Sequence, residues 1–468
     1  MHGHIRPKAI ALSVALALLT SRPIVAEPRQ AAPGRPNPTA EISVKTLKNG
    51  MRIIVWPDHD IPNVATYNWF RVGSRNERPG ITGLSHFFEH MMFNGSAKYP
   101  SGEFDRVSER NGGSNNAFTS EDVTCYQNWF PRGILELIFQ LESDRICCLS
   151  FDPKMVESER QVVYSERRTS VDNDNESLLS EQVQAAAYVA HPYHVPVIGW
   201  PSDIEHWSID DLKSYFKTYY APNNATMIVV GDVTAQEVFR LAEKYFEPIP
   251  AEPAPPAVKT QEPPQLGERR ITIKKAGQTP LLQTAYHTGF ADDSDTEARD
   301  LLMDILVSGE SSRLYRRLVD QDRVAVDVHG YMTPEGFDPG LLWFFVTVTP
   351  NKTAGVAEAA LNDELAKIAR TGVTQEELAK AKNAMLARYW RQIKTINSKA
   401  EVLGVYEVFR GNYRKMFTAP DRYNKVTRAQ IQALAKATFD EKNRTVGVLI
   451  PEAEPQAAAA QAGKGGAR

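Results

Sequence analysis

The chain has 468 residues, 42% hydrophobic and 24% charged, ordinary values for a globular protein long enough to hold two or more domains. Lys plus Arg number 54 against 57 for Asp plus Glu, and the resulting net charge of -3 argues against nucleic acid as a partner. Three cysteines, Cys125, Cys147 and Cys148, are too few for a disulfide framework. The adjacent pair is not expected to bond to itself, because that geometry strains the backbone.

At the N-terminus, Arg6 and Lys8 precede the apolar run AIALSVALALL and then the small Ala26, a pattern that predicts a secretory signal peptide over residues 1–26. Residues 27–41 form a Pro-rich leader. No later segment reaches transmembrane length, so no stable membrane insertion is expected. SVKTLKNGMRIIVWPD predicts two strands around the Asn49-Gly50 turn, and NVATYNWFRVGS a third. The third leads into a helix within GLSHFFEHMMFNGS, started at Thr82-Gly83 and stopped at Asn94-Gly95. SGEFDRVSERNGG is a short helix closed by Gly112. SNNAFTSEDVTCYQNWF alternates like a single strand, and PRGILELIFQLESDRICCL is an amphipathic helix. In DPKMVESERQVVYSERR, Asp152 caps a further helix and Pro153 begins it. Another helix is expected from about Leu178 to Ala190, and the next starts on the capping-box pattern Ser208-x-x-Asp211. NATMIVVGDV reads as a buried strand, and TAQEVFRLAEKYFE as the last helix of the first unit.

Residues 248–268, PIPAEPAPPAVKTQEPPQLGE, are dense in proline and predict an extended, semi-rigid linker that lets two domains face each other across a cleft. Beyond it the order of elements repeats with decayed sequence. RITIKKAG, LLQTAYHTGF, LLWFFVTVTP and RTVGVLI are strand-like, and long helices are expected around 352–371, 374–396 and 398–411. The fold class is therefore α+β. Two similar domains, 42–247 and 269–452, each carry helices on a mainly antiparallel sheet. The tail, 453–468, is low-complexity and expected to be disordered.

The chemistry centres on HFFEH. On a helix His86 and His90 project from one face, each able to give a ring nitrogen to the same metal ion. Glu89 stands beside that face, able to reach a water in an open coordination position without being a ligand itself. Leu84, Phe87, Phe88, Met91, Met92 and Phe93 make the helix nearly all apolar, and buried polar groups need partners. A zinc site of this kind requires a third protein ligand. Glu159 and Glu166, seven residues apart, share one helix face from which Glu157 is absent. Either of the two can ligate while the other accepts the free N–H of a ligand histidine. The competing reading is a solvated acidic face partnered by Arg160, Arg167 and Arg168.

HxxEH, followed about 75 residues later by a glutamate with a second glutamate seven residues before it, resembles the pitrilysin family of zinc peptidases. NGMRIIV, VGSRNE, SNNAFTSEDVTCY, LESDR and HPYHVPVIGW are similar to segments of that family, and the resemblance spans roughly residues 42–450. It implies one zinc per chain on His86, His90 and Glu166, Glu89 as general base and Glu159 as supporting carboxylate. It further implies an edge strand, Asn116-Ala117-Phe118-Thr119, to which a peptide substrate adds. The same donor set also suits manganese or cobalt. Active members of the family carry an Arg and a Tyr seven residues apart that hold the scissile carbonyl. Aligning Leu318 of SSRLYRRLVDQDRVAVDV with the family leucine puts Val319 and Val326 at those two positions. Neighbouring Arg316, Arg317, Arg323 and Tyr331 do not reproduce the spacing. The departure resembles the two-subunit members, so a paralogous partner supplying the Arg/Tyr pair is expected, in the periplasm. The alternatives are a self-sufficient homodimer and a non-catalytic assembly subunit.

Overall fold

Apolar strands pair into two sheets, one from each half of the chain. The computed structural model describes residues 41–333 and 336–452; the expected signal peptide, the leader up to residue 40 and the tail lie outside them. The first sheet contains β1 (Ser43–Thr46), β2 (Arg52–Pro57), β3 (Asn63–Phe70), β4 (Ser114–Thr119), β5 (Thr124–Pro131) and β6 (Ala225–Gly231), in the order β1-β2-β6-β3-β5-β4. The second contains β7 (Arg269–Ala276), β8 (Leu281–His287), β9 (Ala325–Met332), β10 (Leu341–Val348) and β11 (Arg444–Glu452), in the order β7-β11-β8-β10-β9. The second order repeats the first without the counterpart of β1, and each sheet has a single parallel pairing, β2 with β6 and β11 with β7. The α+β reading and the internal repeat both hold.

Helices of the first half are α1 (Leu84–Met91), α2 (Glu103–Arg110), α3 (Leu135–Cys148), α4 (Pro153–Arg167), α5 (Asn175–Ala187), α6 (Pro201–His206), α7 (Ile209–Tyr219) and α8 (Ala235–Tyr245). Those of the second half are α9 (Thr296–Val307), α10 (Arg313–Tyr315), α11 (Ala354–Thr371), α12 (Gln375–Gln392), α13 (Ile396–Val408), α14 (Ala419–Lys425) and α15 (Arg428–Thr438). Capping explains several starts. Asp152 accepts from the N–H groups of Lys154 and Met155, and Ser208 with Asp211 forms the expected capping box.

Four expectations need correction. SNNAFTSEDVTCYQNWF is two strands, because Ser120 turns the chain: its N–H donates to Val123 O and its Oγ accepts from the N–H groups of Asp122 and Val123. α5 begins at Asn175, three residues before the expected start, since Asp174 caps it through the Ser177 N–H. β9, α14 and α15 were not foreseen. Cys147 and Cys148 are joined in a disulfide at the end of α3, and Cys125 is a buried free thiol.

The halves also exchange helices. One face of the first sheet packs on α1, α3, α7 and α8. Its other face, with Trp56, Tyr67 and Trp69, is covered by α13 from the second half. Reciprocally α5, from the first half, lays Leu179, Val183 and Ala187 on Trp343, Phe345 and Leu449 of the second sheet. Both faces of β3 and β6 are thus buried, which is why they read as continuous apolar runs. Gly404 lets α13 approach, because a Cβ there would sit 2.2 Å from Trp69 Nε1. The proline-rich segment is extended but strapped down. The carboxylate of Glu262 accepts from the N–H groups of Val189, Ala190 and His191, and Asn223 clasps the backbone of Glu252.

Candidate metal centre

α1 is fixed at its N-terminus by backbone contacts that no bulkier sequence would allow. Gly83 begins it with φ of 87°, and a Cβ there would meet Ile198 O at 2.5 Å. Gly199 returns the contact, its own Cβ position lying 2.5 Å from Thr82 O. The two oxygens of the buried Glu77 side chain accept from the Gly83 and Ser85 N–H groups at 2.6 and 2.7 Å. Burial is the larger influence on Glu77 and pushes its carboxyl up to about 8, against those two hydrogen bonds. α4 is held beside α1 by arginines: Arg160 donates to Ile204 O and Trp207 O, while Arg167 grips Glu181 and Gly199 O.

Between these helices, His86, His90 and Glu166 converge, with one ligand atom from each within 4.8 Å of the others. Glu166 Oε1 is 3.6 Å from His86 Nε2, and Oε2 is 3.4 Å from His90 Nε2. Two ligands bound tetrahedrally to zinc at 2.0–2.1 Å stand about 3.4 Å apart, so these separations suit atoms sharing one ion. Glu159 Oε1 meets His90 Nδ1 at 2.7 Å, and its Oε2 accepts from Asn94 Nδ2 at 2.7 Å. That contact puts the proton of a neutral His90 on Nδ1 and leaves the Nε2 lone pair facing Glu166. His86 Nδ1 is buried without a hydrogen-bond partner among the described residues. Arg160 and Arg167, named in the competing acidic-face reading, serve Glu157, Glu181 and backbone carbonyls rather than Glu159 or Glu166.

Electrostatics separates the two histidines. Burial holds His86 down to about 4. Burial also opposes charge on His90, but its bonds to Glu159 and Glu166 outweigh that and push it up to about 9. Glu89, on the same helix, accepts a hydrogen bond from Thr119 Oγ1 through Oε2 at 2.7 Å. Burial raises its carboxyl above the usual range, only partly countered by Thr119 and His90. A partly buried carboxylate with a raised pKa beside a ligand cluster is suited to take and return a proton.

β4 is an open edge of its sheet, paired on one side with β5. Ala117 packs toward α1 and Thr119 reaches Glu89, whereas Phe118 turns to the opposite face against Trp69 and Asn116 is exposed. Thr119, expected only as part of the edge strand, also holds Glu89, a contact that follows from the alternation of β4, and Asn94, beyond stopping the helix, donates to Glu159. Val319 packs partly against the core and Val326 is exposed on β9. Arg317 pairs with Asp322 and Asp363, and Tyr331 stacks on Phe345.

The sequence profile described as Insulinase (Peptidase family M16) matches residues 54–199, and that described as Peptidase M16 inactive domain matches residues 206–385. The zinc protease PqqE of Helicobacter pylori is 33% identical over 365 residues, covering 77% of this chain and 81% of its own length. The uncharacterized zinc protease YmxG of Bacillus subtilis is 26% identical, with 85% and 95% covered. The crystal structure of a protease from Helicobacter pylori superposes with a TM-score of 0.84 at 30% identity, covering 88% of this chain and 99% of that one. The periplasmic protease PqqL from Escherichia coli shares the fold, with a TM-score of 0.74 at 20% identity over 90% of this chain and 48% of PqqL.

Proposed function

Because this chain belongs to the M16, or pitrilysin, family of zinc peptidases, we propose that it hydrolyses peptide bonds as a zinc-dependent endopeptidase. The observation that carries the reading is the convergence of His86 Nε2, His90 Nε2 and Glu166 beside a Glu89 held by Thr119. His86, His90 and Glu166 would hold one zinc ion per chain, with Glu159 and Asn94 orienting the donors. Zinc, when bound, supplies a Lewis acid that brings the pKa of water toward roughly 7.

The remaining work falls to the chain's own groups. Thr119 occupies Glu89 Oε2, so Oε1 is the atom free to take the proton from the attacking water and return it to the leaving amine. An extended peptide adds to the open edge of β4. The antiparallel ladder alternates, and the Ser120–Val123 contact sets its phase, so the free N–H and C=O groups belong to Ala117 and Thr119. Asn116 and Phe118 spend their N–H and C=O groups on β5 and would define the edge without pairing with the substrate.

The valines at 319 and 326 donate no hydrogen bond, which supports an Arg/Tyr pair arriving from a paralogous subunit. The zinc-binding chain and that partner would form a heterodimer in the periplasm, where PqqL also resides. The test is hydrolysis of a quenched peptide library with zinc, by the mature chain alone and mixed with the paralogue. Cleavage by the mixture alone is the expected result. Full cleavage by the single chain would reject the split site, and silence in both would reject the peptidase reading.

A further inference from the structure

The tips of the two equivalent hairpins meet. Asp122, in the turn between β4 and β5, accepts through Oδ2 from the backbone N–H of Phe337, in the loop between β9 and β10, at 3.1 Å. The same oxygen accepts from Tyr193 OH at 2.6 Å, and that hydroxyl oxygen accepts in turn from the Asp338 N–H at 3.2 Å. Arg75 Nη1 bridges the halves, 2.7 Å from Asp122 Oδ1 and 2.8 Å from Asp338 Oδ2. His191 Nδ1 receives the Tyr193 N–H, leaving its Nε2 to carry the proton 3.3 Å from Asp338 Oδ2. Asp122, Tyr193 and His191 are each at most 3% exposed, and the Arg75 guanidinium lies 5.4 Å above the Phe337 ring.

This network grips the segment that sets Glu89. Ser74 and Arg75 donate their backbone N–H groups to Ser120 O and Glu121 O, so the turn is pinned from both sides. Thr119, whose hydroxyl holds Glu89 Oε2, is the residue immediately before that turn. Arg75, Asp122 and Tyr193 are buried and hydrogen-bonded to one another or to the second half, so loss of one charge leaves its partners less well paired. We propose that Arg75, Asp122, Tyr193 and Asp338 form an inter-half latch that positions the Thr119–Glu89 pair, so that the half without metal-ligating residues sets the geometry of the general base. The proposal rests on the peptidase reading for its kinetic consequence, and on the geometry alone for its structural one.

The experiment uses the full mature chain loaded with zinc, together with its partner if activity requires one. Asp338→Asn is compared with Asp338→Glu, which keeps the charge, and with Lys399→Met. The last removes the Lys399–Asp58 contact that joins the halves elsewhere. Amide exchange over residues 114–123 and kcat against KM are the readouts. Asp338→Asn is expected to speed exchange across the hairpin and to lower kcat by about tenfold to a hundredfold, at unchanged zinc content and with little change in KM. Asp338→Glu should restore part of both, and Lys399→Met should move neither. Unchanged hairpin exchange in Asp338→Asn would overturn the latch, as would equal effects of Asp338→Asn and Lys399→Met. If Asp338→Asn does not fold, Phe337→Leu, which removes the ring beneath Arg75, is read in the same way. If the wild-type assembly cleaves nothing, the peptidase reading fails while hairpin exchange still decides the latch.

Discussion

Glu159→Ala should weaken zinc binding without abolishing it. The carboxylate makes two contacts at 2.7 Å, one to His90 Nδ1 and one to Asn94 Nδ2, and it is the group that orients the His90 ring toward Glu166. Removing a partner of this kind costs about 10- to 100-fold in metal affinity. Glu159→Gln separates orientation from charge. Its amide oxygen can still accept from Nδ1, and a neutral hydrogen bond is worth roughly half of a charge-assisted one. The loss on a logarithmic scale should therefore halve, to about 3- to 10-fold. The assay is competition for zinc against a fluorescent chelator of known affinity, at fixed pH and ionic strength. Turnover at saturating zinc should return close to the wild-type value in both variants, because neither substitution touches Glu89. Equal affinity in wild type and Glu159→Ala would refute the assigned role. A larger loss in Glu159→Gln than in Glu159→Ala would refute the argument from charge.

Three further outcomes follow from the same geometry. Thr119→Val removes the hydrogen bond that holds Glu89 Oε2 and should lower kcat by about tenfold, with zinc content unchanged by metal analysis. Gly199→Ala places a methyl group 2.5 Å from Thr82 O at a φ of 86°, so the start of α1 must shift; we expect a lower melting temperature together with weaker zinc retention on dialysis. Glu77 provides the pH test. Its folded carboxyl is pushed up to about 8, above the ordinary 4.5, so between those pH values the native state keeps a proton that the unfolded chain has released. Its contribution is complete below 4.5 and falls as pH rises through 8, by about tenfold in the folding equilibrium per pH unit across the window. Glu77→Gln should flatten that slope in denaturant titrations; an unchanged slope would show that Glu77 is ionised in the native state.

Most strands were legible because they lie in apolar or alternating runs, and several helix starts because Asp152 and Ser208 are capping residues whose roles depend only on near neighbours. The metal-site geometry was legible in part for the same reason: His86, Glu89 and His90 share one helix, and Glu159 and Glu166 share another. Two local features escaped: the Asp174 cap of α5, and the β4–β5 turn, where the polar run Ser120-Glu121-Asp122 reverses the chain through the Ser120 hydroxyl. What the sequence could not show depends on distant partners. Nothing in NSKAEVLGVYEV says that α13 covers Trp69 in the other half, nor that Gly404 makes room for it. Neither does the sequence show that Asn94 holds Glu159, that Arg167 ties α4 to Glu181, or that Asp122 meets Phe337. Those contacts bridge elements far apart along the chain, where pattern reading has no register to follow.

The most direct test of the central claim is Glu89→Gln in the mature, zinc-loaded chain, assayed for metal content and for peptide hydrolysis under the conditions in which the wild type is active. The amide keeps the hydrogen bond from Thr119 but accepts no proton. The account predicts one zinc per chain and loss of hydrolysis by at least about a hundredfold. Hydrolysis near the wild-type rate, with zinc bound, would contradict it.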